Sequence, residues 1–232
     1  MFDALTRFIR DQYRTDDFIP LHAPVFRGHE RAYVAETIDT TYVSSIGAFV
    51  DRFEREMAAY TGSPRAVATV NGTAALHVAL LLAGVRPGEI VVTQPLTFVA
   101  TCNAISYCGA EPVFVDVDRS EAVQAWLEEH ARLDDDGTCR LKLGDTIIRA
   151  CLPMHTFGHP VALDEMLAVC RHWNLMLVED AAESLGSLYK GRHTGTLGNL
   201  GTLSFNGNKI ITTGGGGMVL AGESMGARAK HL

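Results

Sequence analysis

Two side chains that could do chemistry together stand at the ends of two short apolar runs. Leu175 to Val178 is uninterrupted apolar sequence, too short for a typical helix and bounded by polar residues, which suits a strand covered on both faces. Glu179 and Asp180 follow at its carboxyl end, the edge where ligands bind in open α/β sheets. The second run, Gly201 to Phe205, leads into Asn206-Gly207-Asn208-Lys209, so the hydroxyl of Ser204 and the amine of Lys209 sit on one short stretch. Lys209 facing Asp180 across a shared pocket would set a nucleophile opposite an acid. Taken singly, a lysine is an ordinary surface residue and an aspartate after a strand an ordinary helix cap.

Other features share that edge. Ala66 to Val70 reads as a strand, Asn71-Gly72-Thr73 as a small-residue turn, and Ala74 to Ala83 as an apolar helix ended by Gly84. Such a turn aims first-turn N–H groups at an anion, with the helix dipole adding attraction, so Gly72 and Thr73 form a candidate phosphate cradle. The same residues also fit a plain strand-to-helix turn capped by Thr73. Neither GxGxxG nor GxxxxGK occurs there, which disfavours a nicotinamide-dependent protein and a P-loop. Ile90 to Thr93 reads as a strand and Val99 to Tyr107 as a helix stopped by Gly109, which puts Phe98 at their junction. An aromatic there packs into the core or lies flat on a planar heterocycle.

Further elements carry these residues. Helices are expected over 1–17, 29–40, 121–133 and 163–173, and an amphipathic one over 48–60 behind the hydroxyl-rich loop Tyr42-Val43-Ser44-Ser45-Ile46-Gly47. Strands are expected over 112–117, with Asp116 and Asp118 at its end, and over 146–152. About six strands alternating with helices imply right-handed crossovers and a mostly parallel sheet. Asp134 to Gly137 lacks the spacing of a calcium loop and reads as the turn after helix 121–133. His155 and His159 share a loop without a third ligand near in sequence, and no metal is expected.

At 232 residues and 47% apolar, the chain has enough material for a real core. A net charge of −7 and the lack of any basic run argue against nucleic acid as a partner. No stretch reaches the length of a bilayer span, and the polar start is no secretory leader, so a cytoplasmic protein is expected. The five cysteines, Cys102, Cys108, Cys139, Cys151 and Cys170, form no CxxC pair and read as reduced, mostly buried residues.

A phosphate cradle, an aromatic, a strand-end carboxylate, a hydroxyl and a lysine on one edge are the set that pyridoxal 5′-phosphate (PLP) needs. Its aldehyde takes a lysine amine, and its pyridine nitrogen needs a carboxylate to remain protonated, so that the ring can accept electrons.

The segments NGTAALHVAL, PLTFVATCNAI, VEDAAES and SFNGNK, followed by TTGGGGM, resemble the sugar aminotransferases of the DegT/DnrJ/EryC1/StrS group, within the fold type I PLP enzymes. The resemblance runs from about Pro20 to the last residue. It implies an α/β large domain with a mostly parallel seven-stranded sheet flanked by helices. It also implies that Lys209 is the Schiff-base lysine and Asp180 the partner of the pyridine nitrogen. Gly72, Thr73 and Ser204 would bind phosphate, Phe98 would stack on the ring, and Ala182 would pack on its other face. Glu183 stands where the group usually has His or Gln near the cofactor 3′-oxygen. Ser44, Ser45 and His155 fall in segments similar to ones that lie near substrate. Gly215 or Gly216 replaces a usual glutamate, a variant associated with amino sugars for nonulosonic acids and related surface glycans.

The implied reaction moves an amino group, usually from L-glutamate, to the ketone of a nucleotide-linked keto-deoxysugar, with Lys209 carrying the proton shift. Relatives that deoxygenate sugars have histidine in place of the lysine, so Lys209 favours transamination. The resemblance implies a homodimer with shared active sites. It divides the chain into an N-terminal helix and extended segment (1–25), a PLP-binding large domain (26–225) and the start of a linker helix (226–232). The small C-terminal domain of the group is expected to be absent. A second expectation is therefore a catalytically incomplete fragment that at most binds PLP or associates with other chains.

Overall fold

The structure is a computed structural model, and it describes residues 2–116 and 122–232. Val117, Asp118 and the expected helix start at Glu121 lie outside the described residues. The chain divides into two compact units, Met1–Thr41 and Tyr42–Leu232. The first unit contains α1 (Phe2–Tyr13) and α2 (Glu30–Asp39).

The second unit opens with α3 (Ala48–Thr61), β1 (Arg65–Thr69), α4 (Gly72–Leu82), β2 (Ile90–Thr93), α5 (Val99–Tyr107) and β3 (Glu111–Phe114). There follow α6 (Ala122–His130), β4 (Ala131–Leu133), β5 (Cys139–Leu141), β6 (Ile148–Leu152), α7 (Leu163–His172) and β7 (Met176–Asp180). The short strands β8 (Leu188–Tyr189) and β9 (Arg192–His193) precede β10 (Leu200–Ser204), β11 (Gly217–Ala221) and α8 (Glu223–Ala229).

Seven strands form one sheet in the order β1-β11-β10-β7-β6-β2-β3. Its strand pairings are parallel except those of β11, which runs antiparallel to both β1 and β10. The alternating pleat sends neighbouring residues of one strand to opposite cores. Val91 and Val178 pack with Leu76, Leu80 and Ile105 from α4 and α5, while Val92 and Leu177 pack with Leu127, Leu163 and Val169 from α6 and α7. Met57 of α3 covers Leu203, Met218 and Leu220. Burial on both faces explains why these strands read as unbroken apolar runs.

Three expected elements end early, the first being the helix expected over 1–17, which stops at Tyr13. Helical periodicity suggests a helix as far as Leu133, but α6 stops at His130 and the next three residues pair with β5 as a hairpin. Asp134 to Gly137 is that hairpin's turn, closed by the Gly137 N–H donating to the Asp134 carbonyl at 2.9 Å. The strand expected over 112–117 is β3, and it ends at Phe114. Among the described residues no helix is long and apolar enough to cross a membrane, and no group of three His, Cys, Asp or Glu side chains could hold a metal.

Candidate active site

The strands that run in one direction end on one edge, and five connections converge there. Thr69 of β1 leads to Asn71 and Gly72, Thr93 of β2 to Phe98, and Leu152 of β6 to Met154 and His155. Asp180 closes β7, and Ser204 of β10 leads to Lys209. A cavity of about 300 Å³ lies among them. Gly72, Thr73, Phe98, Asp180, Ala182, Glu183, Ser204 and Lys209 all line it.

The turn before α4 is capped by Asn71, not Thr73. Asn71 is in extended conformation (φ −165°, ψ 172°), and its Oδ1 accepts the Ala74 N–H at 2.8 Å. That leaves the Thr73 side chain to the cavity, and the first-turn N–H groups of Gly72 and Thr73 have no carbonyl within their own helix. Gly72 packs so closely on β10 that a Cβ there would lie 2.8 Å from Ser204 Cβ. Only glycine lets the helix start and the Ser204 hydroxyl share one wall.

Asp180 is 2% exposed. Its Oδ2 accepts the Thr101 hydroxyl at 2.7 Å and its Oδ1 the Ala182 N–H at 3.2 Å. Burial pushes its carboxyl above the ordinary range, although the Thr101 bond, the Ala182 N–H and the charge of Lys209 all pull the other way. Lys209 reaches Glu183 rather than Asp180: Nζ lies 3.2 Å from Glu183 Oε1 and 5.9 Å from the centre of the Phe98 ring. Glu183 Oε2 accepts the Phe157 N–H at 3.0 Å. Phe98 itself is 61% exposed, so its ring belongs to the cavity wall and not to the core.

Behind this wall lies a second acid. Glu179 is fully buried, and its two oxygens accept the N–H groups of Gly195, Leu197 and Gly198 at 2.6 to 2.8 Å. His155 is equally buried, with Nε2 2.9 Å from Glu179 Oε2. Because the Val161 N–H donates to Nδ1, Nε2 carries the hydrogen and donates to the carboxylate. Burial is the largest influence on Glu179 and pushes it up, yet the His155 and N–H bonds together hold it below the ordinary range. His155 therefore supports β7 from beneath and presents no side chain to the cavity, where substrate contact was expected. Ser44 and Ser45 are exposed and do not line the cavity either. Asn71, Met154, Asn206 and Asn208 line it without having been singled out from sequence. Asn206 and Asn208 stood in the same motif as Lys209, which was the available signal.

Residues 25–229 match the DegT/DnrJ/EryC1/StrS aminotransferase family. The chain is 43% identical over 205 residues to GDP-perosamine synthase of Caulobacter vibrioides, covering 88% of this chain and 52% of that protein. It is 38% identical to GDP-perosamine synthase of Escherichia coli O157:H7, covering 89% and 54%. Among solved structures, an aminotransferase from Psychrobacter cryohalolentis superposes with a TM-score of 0.78 at 32% identity, covering 93% of this chain and 52% of the other. The chain thus spans about half the length of the curated relatives it matches.

The family is PLP-dependent, and the donor set here fits that cofactor. A phosphate has first-turn N–H groups and the Thr73 and Ser204 hydroxyls, a ring has the exposed Phe98 face, a pyridinium has the buried carboxylate of Asp180, and an aldehyde has the Lys209 amine. Matched along its length and built around that cavity, the chain belongs to the DegT/DnrJ/EryC1/StrS aminotransferase family.

Proposed function

We propose that this chain binds PLP in the Lys209 cavity and serves the transfer of an amino group from an amino acid, L-glutamate foremost, to the ketone of a nucleotide-linked keto-deoxysugar. Sugars of this kind would enter surface glycans or nonulosonic acids. The names of the GDP-perosamine synthases support a nucleotide-sugar acceptor. The observation that carries the reading is the convergence of Asp180, Lys209, Phe98 and the Gly72–Ser204 wall on one cavity.

When bound, the cofactor supplies an electron sink conjugated to the amino-acid carbon. The chain's own residues do the rest. Gly72, Thr73 and Ser204 would hold the phosphate and fix the ring's position. Asp180, ionised, would keep a proton on the ring nitrogen. Lys209 would bond the cofactor at rest and, once released, would take the proton from the α-carbon of the bound amino acid and return it to the carbon that had been the cofactor's aldehyde. Phe98 and Ala182 would confine the ring from its two sides and exclude water. A homodimer with shared sites, in the cytoplasm, completes the proposal.

Half coverage of the relatives is also compatible with a chain that binds PLP without turning over. Adding PLP to the purified protein should give a protein-bound absorbance band; borohydride should fix the cofactor to Lys209 in one sample, and L-glutamate should convert the band in an unreduced one. Persistence of the fixed adduct in Lys209→Ala refutes the site. A band that forms but ignores every amino donor supports the binding-only reading.

A further inference from the structure

Asp180 is the end of a chain of hydroxyls that no motif announced. Thr101 Oγ1 lies 2.7 Å from Asp180 Oδ2, Thr97 Oγ1 lies 2.7 Å from Thr101 Oγ1, and Thr97 Oγ1 lies 3.1 Å from Met154 Sδ. Thr101 is 0% exposed, so water does not substitute for either neighbour. Resting on the proposed PLP site, we infer that Thr101, backed by Thr97, is the positioning residue that holds Asp180 as an anion with one oxygen fixed.

An ionised carboxylate only accepts, so Thr101 must donate to Asp180 and its lone pair must accept from Thr97. A protonated Asp180 would donate instead, Thr101 would turn toward Thr97, and Thr97 would be left to donate to the thioether of Met154, a weak acceptor. The chain therefore ends in a poor bond only when Asp180 is neutral. Its geometry favours the charged form against the burial that opposes it. The other charged or titratable groups around Asp180 are Lys209 on the loop after β10, His155 on the loop after β6 and Glu179 on β7 itself. Of these, Lys209 is paired with Glu183, and Glu179 with His155. The Thr101 hydroxyl is thus the one uncharged side-chain donor to this carboxylate among the described residues.

The test compares the wild type with Thr101→Val, which keeps the shape and removes the hydroxyl, and Thr101→Ser, which keeps the hydroxyl. In the cofactor-free protein, thermal midpoints are read across pH. Removing the donor raises the Asp180 carboxyl further, so the valine variant loses stability as pH rises through and above the ordinary carboxylate range. Its gap from wild type should open with pH and close in acid, and serine should restore the wild-type curve. After loading with PLP, the valine variant should retain the borohydride-fixed band while its half-reaction with L-glutamate slows about tenfold, the size expected for one bond to a charged group. A gap that stays flat across pH, or a serine variant as impaired as valine, overturns the inference. Failure of the wild type itself to take up PLP overturns the proposed cofactor site instead, and the pH series still decides the role of Thr101.

Discussion

Lys209 and Glu183 meet as an ion pair, Nζ to Oε1 at 3.2 Å, while the second carboxylate oxygen is held by the Phe157 N–H. Both side chains are mostly buried, with 12% and 25% of their surface exposed. In the cofactor-free protein the amine is bonded to a neighbouring carboxylate, and an aldehyde can be attacked only after the two separate. Glu183→Gln should therefore speed covalent uptake of PLP at neutral pH by about fivefold, the scale of a partly exposed ion pair. Stopped-flow absorbance reads the rate; a slower rate would show that Glu183 aids the capture step, and an unchanged one that the pair does not limit it.

The acid at the other end of the cavity makes an opposite demand. Asp180 has its carboxyl raised by burial, so its folded form pays for ionisation at neutral pH and not in acid. Asp180→Asn should raise the thermal midpoint of the cofactor-free chain at neutral pH, with the gain shrinking as pH falls through the ordinary carboxylate range. An amide nitrogen can donate to Thr101, but Thr101 then turns toward Thr97 and leaves Thr97 on the Met154 thioether, so the gain is the cost of burying the charge less that weaker bond. The same substitution should slow the glutamate half-reaction by at least about a hundredfold, since a neutral amide cannot hold the ring nitrogen protonated. Calorimetry across pH and single-turnover absorbance read the two effects, and a variant that is less stable at neutral pH contradicts the first.

Much of this was legible in the sequence, for identifiable reasons. Runs such as Ile90 to Thr93 and Leu175 to Val178 mark strands buried on both faces, which apolar length alone reveals, although the second strand is Met176–Asp180 and includes the two acids expected to follow it. The hairpin of β4 and β5 was hidden because helical spacing continues past His130, and only pairing with residues 139–141 pulls the segment away. The cap at α4 is not legible in the sequence because Asn71, Gly72 and Thr73 are all cap formers, and backbone angles choose among them. Thr101 and His155 act on residues 79 and 24 positions away. No local pattern encodes such partners.

Glu179 shows what a buried charge does when it is fully served. Its folded carboxyl sits below the ordinary range, so the stability it contributes is complete above the unfolded value and is lost as pH falls through the folded one. Glu179→Gln should destabilise the chain by about 2 to 4 kcal/mol at neutral pH, because the amide turns one acceptor into a donor facing backbone N–H groups. The deficit relative to wild type should narrow in acid. Urea unfolding at several pH values checks both, and a loss below about 0.5 kcal/mol would mean that water or a shifted loop replaces the carboxylate.

The wall shared by α4 and β10 offers the sharpest steric test. A Cβ on Gly72 would stand 2.8 Å from Ser204 Cβ and 3.0 Å from its Oγ, closer than side chains pack, and Ser204 sits at the end of a strand held on both sides by β11 and β7. The helix start must therefore retreat in Gly72→Ala, and the N–H groups proposed to hold the phosphate retreat with it. Affinity for PLP should fall at least about tenfold, while the core under α4, built from Leu76 and Leu80, remains packed and the midpoint drops only a few degrees. Ser204→Gly placed in the same chain removes the clashing atoms, so the double variant should regain the helix position but not the hydroxyl. Its affinity should then match that of Ser204→Gly alone. Equal losses in Gly72→Ala and the double variant would mean that Gly72 matters through its backbone freedom and not through its contact with Ser204.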